Sequence, residues 1–196
     1  GAVLSFGRND YSQLGFARAS TSHIPVPSPI EIPGGHRIIQ VSCGYHHSAM
    51  LSDAGVVLTC GRNDYGQCAL DPAQHQTVAK ATPIALAHSV VRVASGAYFC
   101  MALTDAQHLY TWGRNRHGQL GRDGNTDSHV PSAALVECAS DAALVVDMAP
   151  GFHHAVVVVC DAAASSHARR SAGAQKAARG GSGSKSASPP RLPGPD

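Results

Sequence analysis

Short apolar runs of four to six residues recur along the chain, bounded by Gly, Pro, Asn and Asp, and their Val, Ile, Leu and Thr alternate or cluster without a helical period. In the first stretch they read VLSFG, PIEI, RIIQVSCG and HSAML, four extended segments separated by turn chemistry. The pattern predicts β-strands throughout the body of the chain and disfavours helical repeats.

The segments return at a fixed interval. GRNDYSQLG begins at Gly7, GRNDYGQCA at Gly61 and GRNRHGQLG at Gly113, spacings of 54 and 52 residues. A second element, beginning VSCGYHHSAML, VASGAYFCMAL and MAPGFHHAVVV, places Gly44, Gly96 and Gly151 at spacings of 52 and 55. Between them a proline leads into a weaker apolar stretch, PSPIEI, TPIAL and VPSAALV. Both elements share one period, and four strands in about 53 residues describe a propeller blade. A loop written three times is architecture, since a catalytic loop has one substrate and needs one copy. The predicted organisation is a partial β-propeller over residues 1–160, with repeats 1–54, 55–107 and 108–160, followed by a tail over 161–196.

Each repeated residue has a physical role to fill. Gly7, Gly61 and Gly113 end a strand where the backbone takes positive φ or passes close to another backbone, which glycine does at least cost. Asn9, Asn63 and Asn115 stand two residues on, suited to an Asx-turn or a left-handed conformation. Gln13, Gln67 and Gln119 offer an amide able to tie the loop to neighbouring backbone. Leu14 and Leu120 would plug the loop into the core, whereas Cys68 and Ala69 in the second copy, and Ser12 where the others have Gly66 and Gly118, predict looser loops there.

These paired elements resemble the regulator of chromosome condensation repeat family, whose members build seven-bladed β-propellers. The resemblance covers residues 1–160 and implies about three four-stranded blades of an incomplete ring. It places His47 and His154 at the family's strand histidine, with Phe99 in the middle copy, and Gly44, Gly96 and Gly151 at the turn before it. It implies a non-catalytic platform for protein partners. Alternatives carried by the same resemblance are guanine nucleotide exchange on a Ran-like small GTPase and an interaction segment of a larger ubiquitin ligase. No insertion in the three copies can be assigned to the wedge of the exchange factor, and the single Trp112, expected in the core, argues against the ultraviolet-B photoreceptor branch.

Charge and composition narrow the remaining choices. Among 196 residues, 43% are hydrophobic and 14% charged, with a net charge of +2 that divides into −2 for residues 1–160 and +4 for the tail. The body therefore imposes no basic surface. The tail is rich in Ala, Ser, Gly and Pro, and is expected to be disordered; a basic arm touching nucleic acid or chromatin is a weaker reading of it. No apolar run reaches the roughly 18 to 20 residues of a membrane helix, so a soluble cytoplasmic or nuclear protein is expected. A chain opening at Gly1 with three repeats reads as a fragment, and blade faces that a full ring would cover are expected to drive self-association.

Candidate chemistry fails on geometry. His46 with His47, and His153 with His154, invite a metal reading, but neighbours in a strand point to opposite faces and cannot chelate one ion. One of each pair should be buried and the other exposed. Ser48 near His47 and Asp53 lacks a nucleophile elbow, and its counterparts are Cys100 and Ala155. The glycine-rich loops contain neither a Walker nor a dinucleotide fingerprint. The six cysteines form no CxxC pair and read as buried reduced thiols. No cofactor, metal or catalytic residue is expected.

Overall fold

A computed structural model describes residues 2–16, 23–122, 129–136 and 143–161. Of the tail, only Asp161 is described, so the expectation of disorder lies outside the described residues, as does Cys138. Among the described residues the chain forms twelve strands and one short 3-10 turn. The strands are β1 (Leu4–Arg8), β2 (His23–Pro29), β3 (Ile38–Cys43), β4 (His47–Ser52), β5 (Val57–Arg62), β6 (Thr77–Pro83), β7 (Val90–Ser95), β8 (Phe99–Thr104), β9 (Leu109–Arg114), β10 (His129–Leu135), β11 (Ala143–Pro150) and β12 (Ala155–Asp161).

The strands are antiparallel neighbours in sequence order, but the sheets are out of phase with the repeats. Strands β3 to β6 make one four-stranded sheet and β7 to β10 another, whereas β1 with β2 and β11 with β12 make two-stranded sheets. The strands amount to three blades, distributed as two complete blades and two halves. The physical reason lies at Ser52–Val57. Asp53, Ala54 and the positive-φ Gly55 (74°) form a tight hairpin that folds β5 back onto β4, pairing His47 with Gly61 and Leu51 with Val57. A repeat boundary drawn at residue 54 thus cuts through a sheet.

Three cores fill the spaces between successive sheets. Met50, Leu58, Cys60 and Ala81 pack with Val3 and Ile30 toward the first half sheet. Leu51, Val57, Val93, Cys100 and Trp112 lie between the two complete sheets, and Phe99, Met101 and Leu109 pack against Val145 and Met148 of the second half sheet. Polar staples fix the stacking. The Gln40 side-chain amide donates to the Val93 carbonyl (2.9 Å) and its oxygen accepts from the Val93 N–H (3.0 Å), while Ser42 Oγ accepts from Ser95 N–H (2.9 Å). Arg92 on β7 pairs with Asp147 on β11.

Candidate interaction face

The repeated glycines set the loops at one end of the sheets. Gly7, Gly61 and Gly113 have φ of 109°, 111° and 109°, a conformation that side chains strain to adopt. Strand pairing shifts register just before Gly7 and Gly61, so the glycine forms a bulge that releases the chain into the loop. A Cβ on Gly61 would lie 2.4 Å from the His46 carbonyl oxygen, and one on Gly113 2.6 Å from that of Tyr98. Around Gly7 nothing lies within 4 Å, because among the described residues β1 has no neighbour on that side.

Asn9, Asn63 and Asn115 hold the loops closed, though not by the two-residue turn expected. Each Oδ1 accepts the N–H five residues on, from Leu14 (3.1 Å), Cys68 (2.8 Å) and Leu120 (3.1 Å). None takes positive φ; the left-handed residues in these loops are Ser12, Ala69 and the glycines. Gln13, Gln67 and Gln119 turn inward, each Oε1 accepting from the N–H two residues back at 2.9 Å. Contact with the next sheet comes from their backbone: the Gln13 carbonyl accepts from Ser48 Oγ (2.7 Å), and the Gln67 carbonyl from Trp112 Nε1 (3.1 Å). Trp112 is fully buried, as a core residue should be.

Despite the Ser12, Cys68 and Ala69 departures, the first and second loops keep the same Asn and Gln bonds as the third. In the second loop Asn63 Nδ2 also donates to the carbonyls of Leu70 (2.9 Å) and His75 (2.7 Å), and Cys68 is buried where a leucine would sit. The first keeps its shape by holding Ser12 at φ 57°, with its hydroxyl buried and unpartnered.

Opposite each loop stands the second element. Gly44, Gly96 and Gly151 donate their N–H to the carbonyls of His47, Phe99 and His154 at 2.8, 2.9 and 2.8 Å, and the ring three residues on lies where a Cβ would be, 2.1 to 2.3 Å away. These turns need glycine because a ring covers them. His47 is buried with Nε2 3.1 Å from Cys100 Sγ, and burial pushes its pKa down to about 4. The histidine pairs do not divide into one buried and one exposed member. His46 precedes β4 and is buried beside Tyr11 and Tyr45, whereas His153 and His154 are both exposed, since among the described residues no further sheet covers β12.

Burial pushes the Cys60 and Cys100 thiols up to about 12 and raises Cys68 as well, which removes the thiolate that nucleophilic chemistry needs. Cys43 departs from the expected pattern of buried thiols, because β3 is an edge strand and its alternate side chains face outward.

Loops and turns meet in a continuous band of rings and guanidinium groups. Tyr11 contacts His46 (4.6 Å between centroids), His46 contacts Tyr45 (4.4 Å), Tyr45 contacts Tyr98 (5.6 Å) and Phe152 (6.0 Å), and Phe152 contacts His153 (4.5 Å), which reaches His117 (4.8 Å). Arg62 lies over Tyr11 (4.8 Å), and Arg114 over Tyr65 (4.9 Å) and Tyr98 (5.5 Å). Arg8 pairs with Asp10 and Arg62 with Asp64 (2.6 Å), but Arg116 replaces the aspartate in the third loop. Beside the band lies a shallow depression of about 280 Å³ where the three glycine turns converge, lined by the buried Ala97 and by the exposed Tyr45 and Phe152. Sequence reasoning missed this face. Its signal was the Arg that follows Gly in all three loops and the Tyr or His three residues later.

The chain belongs to the regulator of chromosome condensation (RCC1) repeat family, which it matches over residues 1–51, 54–103 and 108–158. Among curated relatives, a bifunctional serine/threonine-protein kinase/NEDD4-like E3 ubiquitin-protein ligase of Dictyostelium discoideum is 31% identical over 82% of this chain and 9% of its own length. The human E3 ubiquitin-protein ligase HERC2 is 33% identical over 67% of this chain and 3% of its own, and the Arabidopsis thaliana ultraviolet-B receptor UVR8 31% identical over 80% and 34%. The chain thus spans about a third or less of these relatives. Among solved structures, Prp20p of Saccharomyces cerevisiae, described with its binding to Gsp1p and histones, superposes with a TM-score of 0.75 at 17% identity, covering 88% of this chain and 43% of that one. Human WBSCR16 superposes with a TM-score of 0.72 at 28% identity, covering 79% and 40%.

Proposed function

We propose that this chain is a non-catalytic interaction module that holds a protein partner on the aromatic and arginine band. The observation that carries this reading is the exposed Tyr45 and Phe152, which contact each other and line the depression, in one band with Tyr98 and Tyr65, on which Arg114 is already stacked. Aromatic and Arg side chains supply most hot-spot energy in protein interfaces, and prepositioned ones lose little entropy on binding. The strands hold the rings rigidly while the band itself belongs to loops and turns, the arrangement in which binding residues concentrate.

The ligase relatives support a second reading of the context, in which the segment presents a partner to a catalytic domain elsewhere in a larger ubiquitin ligase. Exchange activity on a Ran-like GTPase has weaker support, since Prp20p shares the fold at low identity. Affinity capture with the tagged chain, its Tyr45→Ala/Phe152→Ala variant and a Val26→Ser control tests the face. Partners kept by the chain and the control but lost by the double variant are expected. Equal capture by all three, with all three folded, contradicts the assignment.

A further inference from the structure

Two histidines outside the aromatic band come together where the repeats differ. His88 stands in the connection from β6 to β7, and His108 closes the β8–β9 hairpin. Both are exposed, and their ring centroids lie 5.1 Å apart at an interplanar angle of 66°. The hairpin follows the first repeat in its bonds but not in its residues. Thr104 Oγ1 accepts from the His108 N–H (3.0 Å) as Ser52 Oγ does from that of Val56 (3.1 Å). His108 thus stands where Val56 does 52 residues earlier, and the left-handed Gln107 (φ 63°) where Gly55 does (74°). A contact written in every copy is architecture, whereas this histidine replaces a valine and exposes its ring.

Backbone bonds hold the two loops at a set separation. The Ser89 carbonyl accepts from the Asp105 N–H (3.0 Å), which ties the connection to the hairpin, and the Val90 N–H donates to the Gly55 carbonyl (3.0 Å) of the neighbouring sheet. His108 is clamped on the buried Thr104, whose N–H donates to its carbonyl (3.0 Å). An imidazole bound at a metal–nitrogen distance of about 2.0 to 2.1 Å has its ring centre about 3 Å from the ion, so two at adjacent tetrahedral positions have centres about 5 Å apart. The observed separation matches without movement of either loop. Charge suits a cation as well, since residues 84–89 carry no charged side chain and residues 105–108 carry one, Asp105. Another close ring pair, His117 with His153 (4.8 Å), lacks that advantage because the charge of Arg114 acts on His153.

We propose that His88 and His108 bind a divalent transition-metal ion of the kind imidazole prefers, zinc or copper(II). The adjacent pairs His46 with His47 and His153 with His154 cannot share an ion along one strand, whereas these two rings approach it from separate loops. Among the described residues no group of three or more His, Cys, Asp or Glu is placed to hold a metal. The pair is therefore the whole protein contribution, and the other positions of a four-coordinate ion go to water. The two loops lead into the starts of β7 and β9, while the band lies at the ends of those strands, so the site stands apart from the interaction face.

Diethyl pyrocarbonate modifies free imidazole rings, and mass spectrometry of the digested chain reads each histidine separately. Zinc at about ten times its dissociation constant should slow the modification of His88 and His108 together by about tenfold, leave the exposed His75 unchanged, and lose its effect on chelation. Copper(II) should act at lower concentration than zinc, and magnesium, which prefers oxygen ligands, should not act. In His108→Ala zinc should no longer slow His88, and in His88→Ala it should no longer slow His108; both residues are exposed, and far-UV circular dichroism should show both variants folded. Unslowed modification of His88 at every zinc concentration overturns the proposal. So does equal protection of His75, equal protection by magnesium, or continued protection of either ring in the folded variant that lacks the other.

Discussion

Replacing the strand-end glycines by alanine separates two costs that the three repeats combine differently. Gly7, Gly61 and Gly113 share φ near 110°, so alanine at any of them incurs the strain of an unfavourable backbone region, about 1 to 3 kcal/mol. At Gly113 the new Cβ would also meet the Tyr98 carbonyl oxygen at 2.6 Å and Phe99 Cα at 2.7 Å. These are backbone atoms of a buried strand and cannot swing away. Overpacking of that kind adds about 1 to 3 kcal/mol, so Gly113→Ala should lose about 2 to 6 kcal/mol against about 1 to 3 for Gly7→Ala. For a chain of this size 1 kcal/mol moves Tm by about 2 to 4 °C, a difference that far-UV circular dichroism resolves. Equal losses at the two sites would show that the neighbouring strand does not determine why glycine is needed there.

Other expectations follow from single residues. Ser12→Gly relieves a left-handed serine with a buried unpartnered hydroxyl and should stabilise the chain by about 1 to 2 kcal/mol, read as a higher urea midpoint; no change would mean the serine is relaxed. His47 has a folded pKa of about 4 against an unfolded value near 6.5, so the unfolded chain takes up the proton first and stability falls as pH drops from about 6.5 to 4. His47→Phe, which installs the residue found at Phe99, should remove up to about 3 kcal/mol of that slope; an unaltered pH profile would refute the buried neutral ring. A thiol reagent should label the exposed Cys43 before Cys60, Cys68 and Cys100, which should react only on unfolding.

Much of the architecture was legible in the sequence because its signals are local. The spacing of Gly7, Gly61 and Gly113 announced the period, and the strand pattern announced an all-β chain. The phase of the sheets was less accessible, because Asp53–Gly55 looks alike as a boundary or as a hairpin until β4 and β5 are seen to pair. Whether a histidine is buried depends on what lies across from it, which is why His47 and His154 share a motif and differ in exposure. The aromatic band was illegible for the same reason: Tyr65 meets Tyr98 and Arg114 only when two sheets stack.

The central claim is that this segment recognises a partner and does no work on it. Release of labelled GDP from a Ran-like GTPase, followed as the chain is raised to micromolar concentration, tests that claim most directly. The release rate is expected to stay at its intrinsic value. A rise of about tenfold, equivalent to roughly 1.4 kcal/mol off the barrier, would contradict the account and make the chain an exchange factor.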